Sequence, residues 1–296
     1  MSRSRVEPDG QWVVTGAGGM LGHDVVTALG GREVRALGRA DLDITDERSV
    51  ERAVAGAAVV LNCAGWTAVD LAEEQEPEAF VANAVGPAHL ARACHRSGAA
   101  LVHVSTDYVF DGTASTPYAE DAPLSPRSAY GRTKAAGEWA VRAEAPDRSY
   151  VVRTAWLYGR HGGNLPATML RLLGERDTVE VVDDQRGQPT WTHDLARHLV
   201  DLVTCGAPAG TYHGTASGDV TWFGLVRHLL ELTGSDPARV LPTTTDRFPR
   251  PAPRPAYSVL GHRRWADAGL PPMRAWDEAL AEAVSLGVLA APIPGG

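Results

Sequence analysis

Apolar residues in the first half of the chain gather in short runs, separated by glycine-containing turns and longer amphipathic stretches. Gln11-Trp12-Val13-Val14-Thr15 is such a run, a strand that passes directly into Gly16-Ala17-Gly18-Gly19-Met20-Leu21-Gly22 and a helical stretch to about Leu29. Glu33 to Leu37 predicts a second strand. Ala57 to Asn62 predicts a third, continuously apolar, as expected of a parallel strand with helices on both faces. A helix over about Pro77 to Ser97, containing Asn83-Ala84-Val85-Gly86, and a strand over Ala100 to Val104 continue the alternation. After a proline-rich loop from Thr116 to Pro126, Ser128 stands where an N-cap would start a helix through Tyr130 and Lys134. The alternation predicts an α/β fold, a Rossmann-type doubly wound parallel sheet.

The second half is less regular. Val151 to Thr154 and Val179 to Val182 read as strands, Asn164 to Leu173 as a helix, and His193 to Val203 as a helix that returns to the main sheet. Thr221 to Thr233 is amphipathic, with Trp222, Leu225, Val226, Leu229, Leu230 and Leu232 mostly on one face, and reads as core. Leu241 to Pro255 is rich in proline; it is either a solvated loop or one that turns Arg247, Arg250 or Arg254 onto a phosphate.

Composition narrows the partners. Among 296 residues, 44% are apolar and 22% charged, as in an ordinary globular protein, and the net charge of −8 comes without a basic block. Nucleic acid and anionic membrane are therefore not expected partners, and an anionic ligand must be held locally. Cys63, Cys94 and Cys205 lack metal-type spacing, and their odd number argues against a disulfide framework. The stretch Met1 to Gly10 is polar, without the apolar segment of a signal peptide, and no run approaches a membrane span, so a cytoplasmic location is expected. The ten histidines show no ligand-like spacing, and no metal motif is expected.

Lysine usage is the sharpest single feature. Of the 28 basic residues one alone is lysine, Lys134, four residues after Tyr130 in Tyr130-Gly131-Arg132-Thr133-Lys134. On a helix that spacing puts phenol and ammonium on one face, where the cation is expected to lower the phenol's pKa and make it a proton donor. Thr106, at the end of the fourth strand, can bring a hydroxyl to the same place, and the hydroxyls of Ser105-Thr106 are expected to face the crevice of the sheet.

Strand, glycine turn and helix is the order a pyrophosphate site requires. Gly16 would allow the tight turn, Gly19 the approach of phosphate, and Gly22 close packing of helix on strand. Arg39 follows the second strand where an acid usually holds an NAD ribose. A guanidinium there suits a 2′-phosphate and points to NADPH, with NADH as the alternative, and Asp41 and Asp43 stand ready for the adenosine end.

These residues resemble the extended short-chain dehydrogenase/reductase family and, within it, the dTDP-4-dehydrorhamnose reductases. The resemblance rests on Thr67-Ala68-Val69-Asp70, Ser105-Thr106-Asp107-Tyr108-Val109-Phe110-Asp111-Gly112, the segment from Tyr130 to Lys134, Arg153-Thr154-Ala155-Trp156-Leu157-Tyr158, and Asp184-Gln185-Arg186-Gly187-Gln188-Pro189-Thr190. It implies Thr106, Tyr130 and Lys134 as the catalytic trio. The cofactor site it implies comprises Gly16, Gly19, Met20, Leu21, Gly22, Arg39, Asp43, Ile44, Cys63, Ala64, Gly65 and Thr67 with Tyr130 and Lys134. Thr67, Val69, Thr106, Tyr108, Tyr130 and Trp156 would touch substrate. Trp66 departs from the pattern, since relatives often carry histidine there, which leaves the shape of the sugar pocket open.

The expected organisation is an NADP-binding Rossmann domain over 1–155, with return segments near 191–215, and a smaller α/β substrate domain over 156–296. The expected activity is NADPH-dependent reduction of the 4-keto group of a dTDP-4-keto-6-deoxyhexose, giving dTDP-L-rhamnose in the simplest case. A 4-ketoreductase for another dTDP-deoxysugar shares every catalytic residue. A dehydratase would be expected to follow Thr106 with an acid pair, whereas Asp107 is followed by Tyr108. A non-catalytic NADP-binding regulatory subunit is the rival of another class, and a homodimer is a candidate assembly.

Overall fold

The computed structural model describes residues 10–289, so the N-terminal stretch read above as polar lies, but for Gly10, outside the described residues. In chain order the first half runs β1 (Trp12–Thr15), α1 (Met20–Ala28), β2 (Val34–Leu37), α2 (Glu47–Val54), β3 (Val59–Asn62), α3 (Glu76–Phe80), α4 (Gly86–Ser97), β4 (Ala100–Thr106), α5 (Ala129–Glu144) and β5 (Ser149–Thr154). The remainder runs β6 (Leu157–Tyr158), α6 (Leu165–Glu175), β7 (Val179–Val182), β8 (Arg186–Gly187), β9 (Thr190–Trp191), α7 (Thr192–Thr204), β10 (Gly210–His213), β11 (Val220–Thr221), α8 (Trp222–Leu232), β12 (Val240–Thr243), α9 (Arg263–Asp267) and α10 (Trp276–Ser285).

The main sheet is parallel throughout, in the order β10-β5-β4-β3-β1-β2. Chain order reverses between β1 and β3, which opens a crevice at their carboxyl ends. Both faces are covered, which is why β1 and β3 bury all four of their residues. Leu21 and Val25 of α1 pack with Leu195, Leu199 and Leu202 of α7 on one face. Val50 and Val54 of α2, Leu90 and Cys94 of α4 and Val141 of α5 pack on the other. The expected return of the 193–203 helix to the sheet is thus realised by α7.

The second lobe has two cores with α8 between them. Leu225 and Leu229 meet Tyr158, Trp191 and Leu280, while Val226 and Leu230 meet Leu173, Val179, Val181 and Val240. Two expectations change here. The Pro77–Ser97 helix is interrupted at Val81–Val85 by a π-turn; one extra residue lets the Asn83 side chain turn into the interior. Val240–Thr243, whose residues from Leu241 on were expected within a loop, pairs in parallel with β7; Pro242 is tolerated because β12 belongs to a two-stranded sheet and has a free edge. Among the described residues no helix is long and apolar enough to cross a membrane.

One ion pair ties α5 to the sheet. The Glu138 carboxylate accepts Arg153 Nε at 2.9 Å and Nη2 at 2.8 Å, and both side chains are within 1% of full burial. Glu138 Oε1 also accepts the Ser105 hydroxyl at 2.7 Å. Ser105 therefore faces α5 rather than the crevice, a correction to the sequence expectation that follows from strand alternation, which sends Ser105 and Thr106 to opposite faces. Glu138→Gln leaves a buried guanidinium without its counter-charge and is expected to cost about 3–5 kcal/mol of stability, read as a lowered urea midpoint at unchanged slope.

Candidate active site

Ser128 caps α5 as expected, its hydroxyl accepting Gly131 N–H at 3.0 Å. Two glycines let the helix approach its neighbours. A Cβ on Gly131 would lie 2.2 Å from the Tyr108 carbonyl oxygen, and one on Gly137 would lie 2.1 Å from that of Asn83. This close docking carries Tyr130 and Lys134 to the end of β4, where Thr106 stands.

The three expected catalytic side chains meet there. The Tyr130 phenol lies beside the Thr106 hydroxyl. Lys134, 5% exposed, donates through Nζ to the Val104 carbonyl at 2.6 Å, two residues from Thr106 on the same strand. Thr106 Oγ1 accepts Tyr108 N–H at 3.2 Å and donates to Asp107 Oδ1 at 3.0 Å. The Tyr108 ring meets the Tyr130 ring edge-on at 5.6 Å.

Electrostatics depart from the sequence expectation. Burial pushes the Tyr130 phenol up to about 12, with the neighbouring Thr106 hydroxyl pulling it down and the Asp107 charge pushing it up. Burial also brings Lys134 down to about 8, against the opposing pull of Glu138. The expected lowering of the phenol by the ammonium is not found, because desolvation dominates and the ammonium is turned to a strand carbonyl.

The glycine turn fits a dinucleotide. Gly16 has φ +68° and a Cβ there would lie 2.6 Å from Ala64 N, while a Cβ on Gly22 would lie 2.3 Å from the Gly16 oxygen. Gly19 begins α1 without a side-chain cap, so the first-turn N–H groups face the crevice free of a competing side chain. Lys134 commits one of its three N–H bonds to protein, which leaves donors for a ribose diol. Gly65 lies beside it; a Cβ there would stand 3.9 Å from Lys134 Nζ and 2.8 Å from Asn83 Oδ1.

Other expected residues sit as follows. Arg39 is exposed in the turn after β2, its charge felt by Asp43. Asp41 accepts Gly38 N–H at 2.9 Å, and Asp43 accepts Thr45 N–H at 2.9 Å and the Thr45 hydroxyl at 2.7 Å, so both carboxylates shape local turns. The Ile44 side chain belongs to the core. The Cys63 thiol is kept neutral, burial pushing its pKa up to about 12. Thr67 is exposed and Val69 half-buried in the loop after β3. Arg254 donates to Asp70 at 2.8 Å, and Arg250 lies 3.9 Å from the same carboxylate. Arg254 with Tyr108, Arg127, Ser128 and Pro253 lines a shallow cleft; Arg247 stays exposed outside it.

Two residues gain roles that sequence reasoning did not assign. Asn83 accepts Trp66 N–H at 2.8 Å, donates to the Trp66 carbonyl at 3.1 Å and donates to Thr133 Oγ1 at 3.0 Å, tying the 65–70 loop to α5. Its sequence signal was only its place in Asn83-Ala84-Val85-Gly86; the π-turn that aims it was not readable. Asp107 is buried behind Thr106, and its Oδ2 has no hydrogen-bond partner among the described residues.

Burial raises the Asp107 pKa from 3.8 to about 6, with Ser258 and Thr106 as the main opposing influences. The folded chain thus holds this proton more tightly than the unfolded chain. The group's stabilising contribution is present below about pH 4 and lost as pH rises through about 6. Asp107→Asn cannot ionise, so its stability relative to the parent chain should rise by about 2–3 kcal/mol between pH 4 and pH 7. Urea midpoints of the two proteins across that range read the difference, and parallel curves would assign the carboxyl an ordinary pKa.

Comparison with known proteins places this geometry among relatives. The model of the RmlD substrate binding domain matches residues 11–287. A dTDP-4-dehydrorhamnose reductase of Streptomyces griseus is 52% identical over 97% of this chain and 98% of its own. A dTDP-4-keto-6-deoxy-D-glucose reductase of Streptomyces niveus is also 52% identical, over 93% of this chain and 97% of its own. The crystal structure of dTDP-4-dehydrorhamnose reductase from Bacillus anthracis in complex with NADP superposes with a TM-score of 0.90 at 34% identity, covering 94% of this chain and 99% of that one.

Proposed function

The chain belongs to the RmlD family, and from that premise we propose that it reduces the 4-keto group of a dTDP-4-keto-6-deoxyhexose with NADPH, as a dTDP-4-dehydrorhamnose reductase. The observation that carries this reading is the meeting of Thr106, Tyr130 and Lys134 at the end of β4, beside a glycine turn built for pyrophosphate.

In this reading residues 1–155 with the return through α7 and β10 hold the cofactor, and residues 156–296 complete the sugar-nucleotide site. Gly16, Gly19, Met20, Leu21 and Gly22 cradle the pyrophosphate, Arg39 takes the 2′-phosphate, and Cys63, Ala64, Gly65 and Thr67 border the nicotinamide end. The bound cofactor supplies hydride to sugar C4. Tyr130, its proton held on oxygen by burial, gives that proton to the carbonyl oxygen as negative charge develops there. Thr106 donates to the same oxygen once its hydroxyl turns from Asp107. Lys134 holds the ribose hydroxyls. Val69, Tyr108 and Trp156 line the sugar pocket, and Arg254 faces the diphosphate end.

A second reading has a specific observation behind it. The two Streptomyces relatives are named for different substrates at equal identity, and Trp66 departs from the resemblance, so the same 4-keto reduction on dTDP-4-keto-6-deoxy-D-glucose is the alternative. The deciding experiment offers both keto-sugars, epimerised and not, with NADPH and assigns the product by NMR. Oxidation of NADPH with neither sugar overturns the proposal.

Tyr130→Phe removes the proton donor and little else, so turnover should fall by about 10²–10⁴ with NADPH affinity nearly unchanged. Steady-state kinetics beside a cofactor titration check this, and near-parental turnover would move the acid elsewhere. Arg39→Ala should weaken NADPH by about tenfold or more while sparing NADH, because one cofactor alone carries the phosphate a guanidinium grips. Equal losses for the two cofactors, measured as Kd by fluorescence titration, would make Arg39 a bystander.

A further inference from the structure

Trp156 is, among the described residues, the one non-glycine residue with positive φ, at +49°. A bulky side chain adopts that backbone at a cost, and the surroundings must enforce it. They do so from both sides. The Trp222 ring stacks on the Trp156 indole with centroids 3.4 Å apart and planes 7° apart. On the other side lies Gly187, where a Cβ would stand 2.5 Å from Trp156 Cε2. Glycine is thus required at that place in Asp184-Gln185-Arg186-Gly187-Gln188 for a steric reason.

The clamp is built by short-range pairing in the second lobe. Gly187 of β8 stands opposite Val220 of β11, and Trp222 follows two residues later at the start of α8. Thr221 caps that helix, accepting Gly224 N–H at 3.1 Å. An Arg186–Asp219 ion pair crosses the two strands, and Arg186 N–H donates to the Ala256 carbonyl at 2.8 Å. The clamped residue sits close to the chemistry. Thr154 pairs in register with Thr106, and Trp156 follows it by two residues.

We propose that Trp222 is a positioning residue for sugar recognition: stacked on Trp156 and opposed by Gly187, it fixes the indole as an aromatic wall for the hexose ring of the nucleotide-sugar substrate. The inference rests on the proposed reading of Trp156 as part of the sugar pocket. It adds that the wall is set from the second lobe by a residue that touches neither cofactor nor reacting atoms. With Trp222 on one face and Gly187 on the other, the indole meets the sugar with its edge, and an edge held at one angle meets the C–H groups of a hexose without reordering.

The test separates positioning from turnover. The chain has eight tryptophans, so protein labelled with 5-fluorotryptophan gives a small set of ¹⁹F resonances, and Trp156→Phe identifies the line of Trp156. Trp222→Ala should shift and broaden that line in the ligand-free protein, Trp222→Phe should largely preserve it, and Gly187→Ala should displace it from the opposite side. In kinetics, Trp222→Ala should raise KM for the keto-sugar by about tenfold, the worth of one well-placed aromatic contact, and Trp222→Phe should restore it. The KM for NADPH should stay unchanged, which also reports that the variant is folded. An unmoved Trp156 line in Trp222→Ala overturns the inference whatever the enzyme turns over. So does a parental KM for sugar, or an equal loss for sugar and NADPH. If the parent protein reduces no keto-sugar, the proposed function fails, and the ¹⁹F spectra still decide whether Trp222 positions Trp156.

Discussion

The buried Glu138–Arg153 pair is the contact on which the placement of the active groups depends. Glu138 stands one helical turn after Lys134 on α5, and its carboxylate reaches both Ser105, the neighbour of Thr106 on β4, and Arg153 on β5. Helix and two strands are thereby fixed at one point. Arg153 extends the network, donating through Nη1 to the Glu120 carbonyl at 3.1 Å and to His213 Nε2 at 3.2 Å. His213 donates from Nδ1 to the Gly261 carbonyl, which leaves Nε2 as an acceptor; burial and the guanidinium hold its pKa well below the usual value. The guanidinium also lies over the Phe110 ring at 5.0 Å. Such a pair is a poor source of net stability but a strict one of position, since each partner alone in that interior is heavily penalised.

Around this fixed point α5 is seated by contacts that exclude a side chain. Gly131 lies on the Tyr108 carbonyl and Gly137 on that of Asn83, so the helix cannot slide by a turn without a backbone clash. Asn83 completes the seat, its amide joining the Trp66 backbone to Thr133 on α5. The loop that carries Thr67 and Val69 is therefore referenced to the helix that carries Tyr130 and Lys134. A second polar chain references the glycine turn: Thr15 donates to Asn62 Oδ1 at 2.6 Å, Asn62 Oδ1 accepts Ala64 N–H, and Asn62 Nδ2 donates to His103 on β4. Three strands are registered side by side just below the crevice.

What could be read from the sequence was what local chemistry dictates. Apolar runs gave every strand of the main sheet but β10, Ser128 gave the start of α5, and the lone lysine led to Tyr130. The glycine turn was legible because φ at Gly16 and the close approach at Gly22 admit nothing larger. What stayed hidden depends on segments distant in sequence. The pairing of β12 with β7 joins residues about sixty positions apart, across a stretch whose prolines argue for a loop. The π-turn at Asn83 is set by partners on α5 and in the 65–70 loop. The glycine at 187 answers to Trp156, and no pattern within its own segment announces that. The expected effect of Lys134 on Tyr130 erred for a related reason: spacing on a helix gives proximity, whereas the dielectric that decides the pKa comes from the whole fold.

That dielectric sets the state in which the site waits. Burial moves three groups at the end of β4 towards neutrality: the phenol up to about 12, the Asp107 carboxyl up to about 6, the ammonium down to about 8. Near neutral pH the phenol keeps its proton while Lys134 remains mostly charged and Asp107 mostly ionised. Ionised Asp107 accepts the Thr106 hydroxyl and keeps that donor parked beside the phenol until a carbonyl oxygen draws it away. A hydroxyl already stripped of water has no solvent shell to reorganise when charge develops on a nearby oxygen, and for Thr106 the change is one rotation of its hydroxyl. A high phenol pKa therefore does not disqualify Tyr130 as an acid. The partner it protonates becomes an alkoxide, far more basic than a phenolate, so transfer is downhill at that stage, and a donor that never ionises at working pH is always loaded. The demand that remains is positional: the carbonyl oxygen must come within reach of the Tyr130 and Thr106 hydroxyls, and that placement falls to the walls of the sugar pocket.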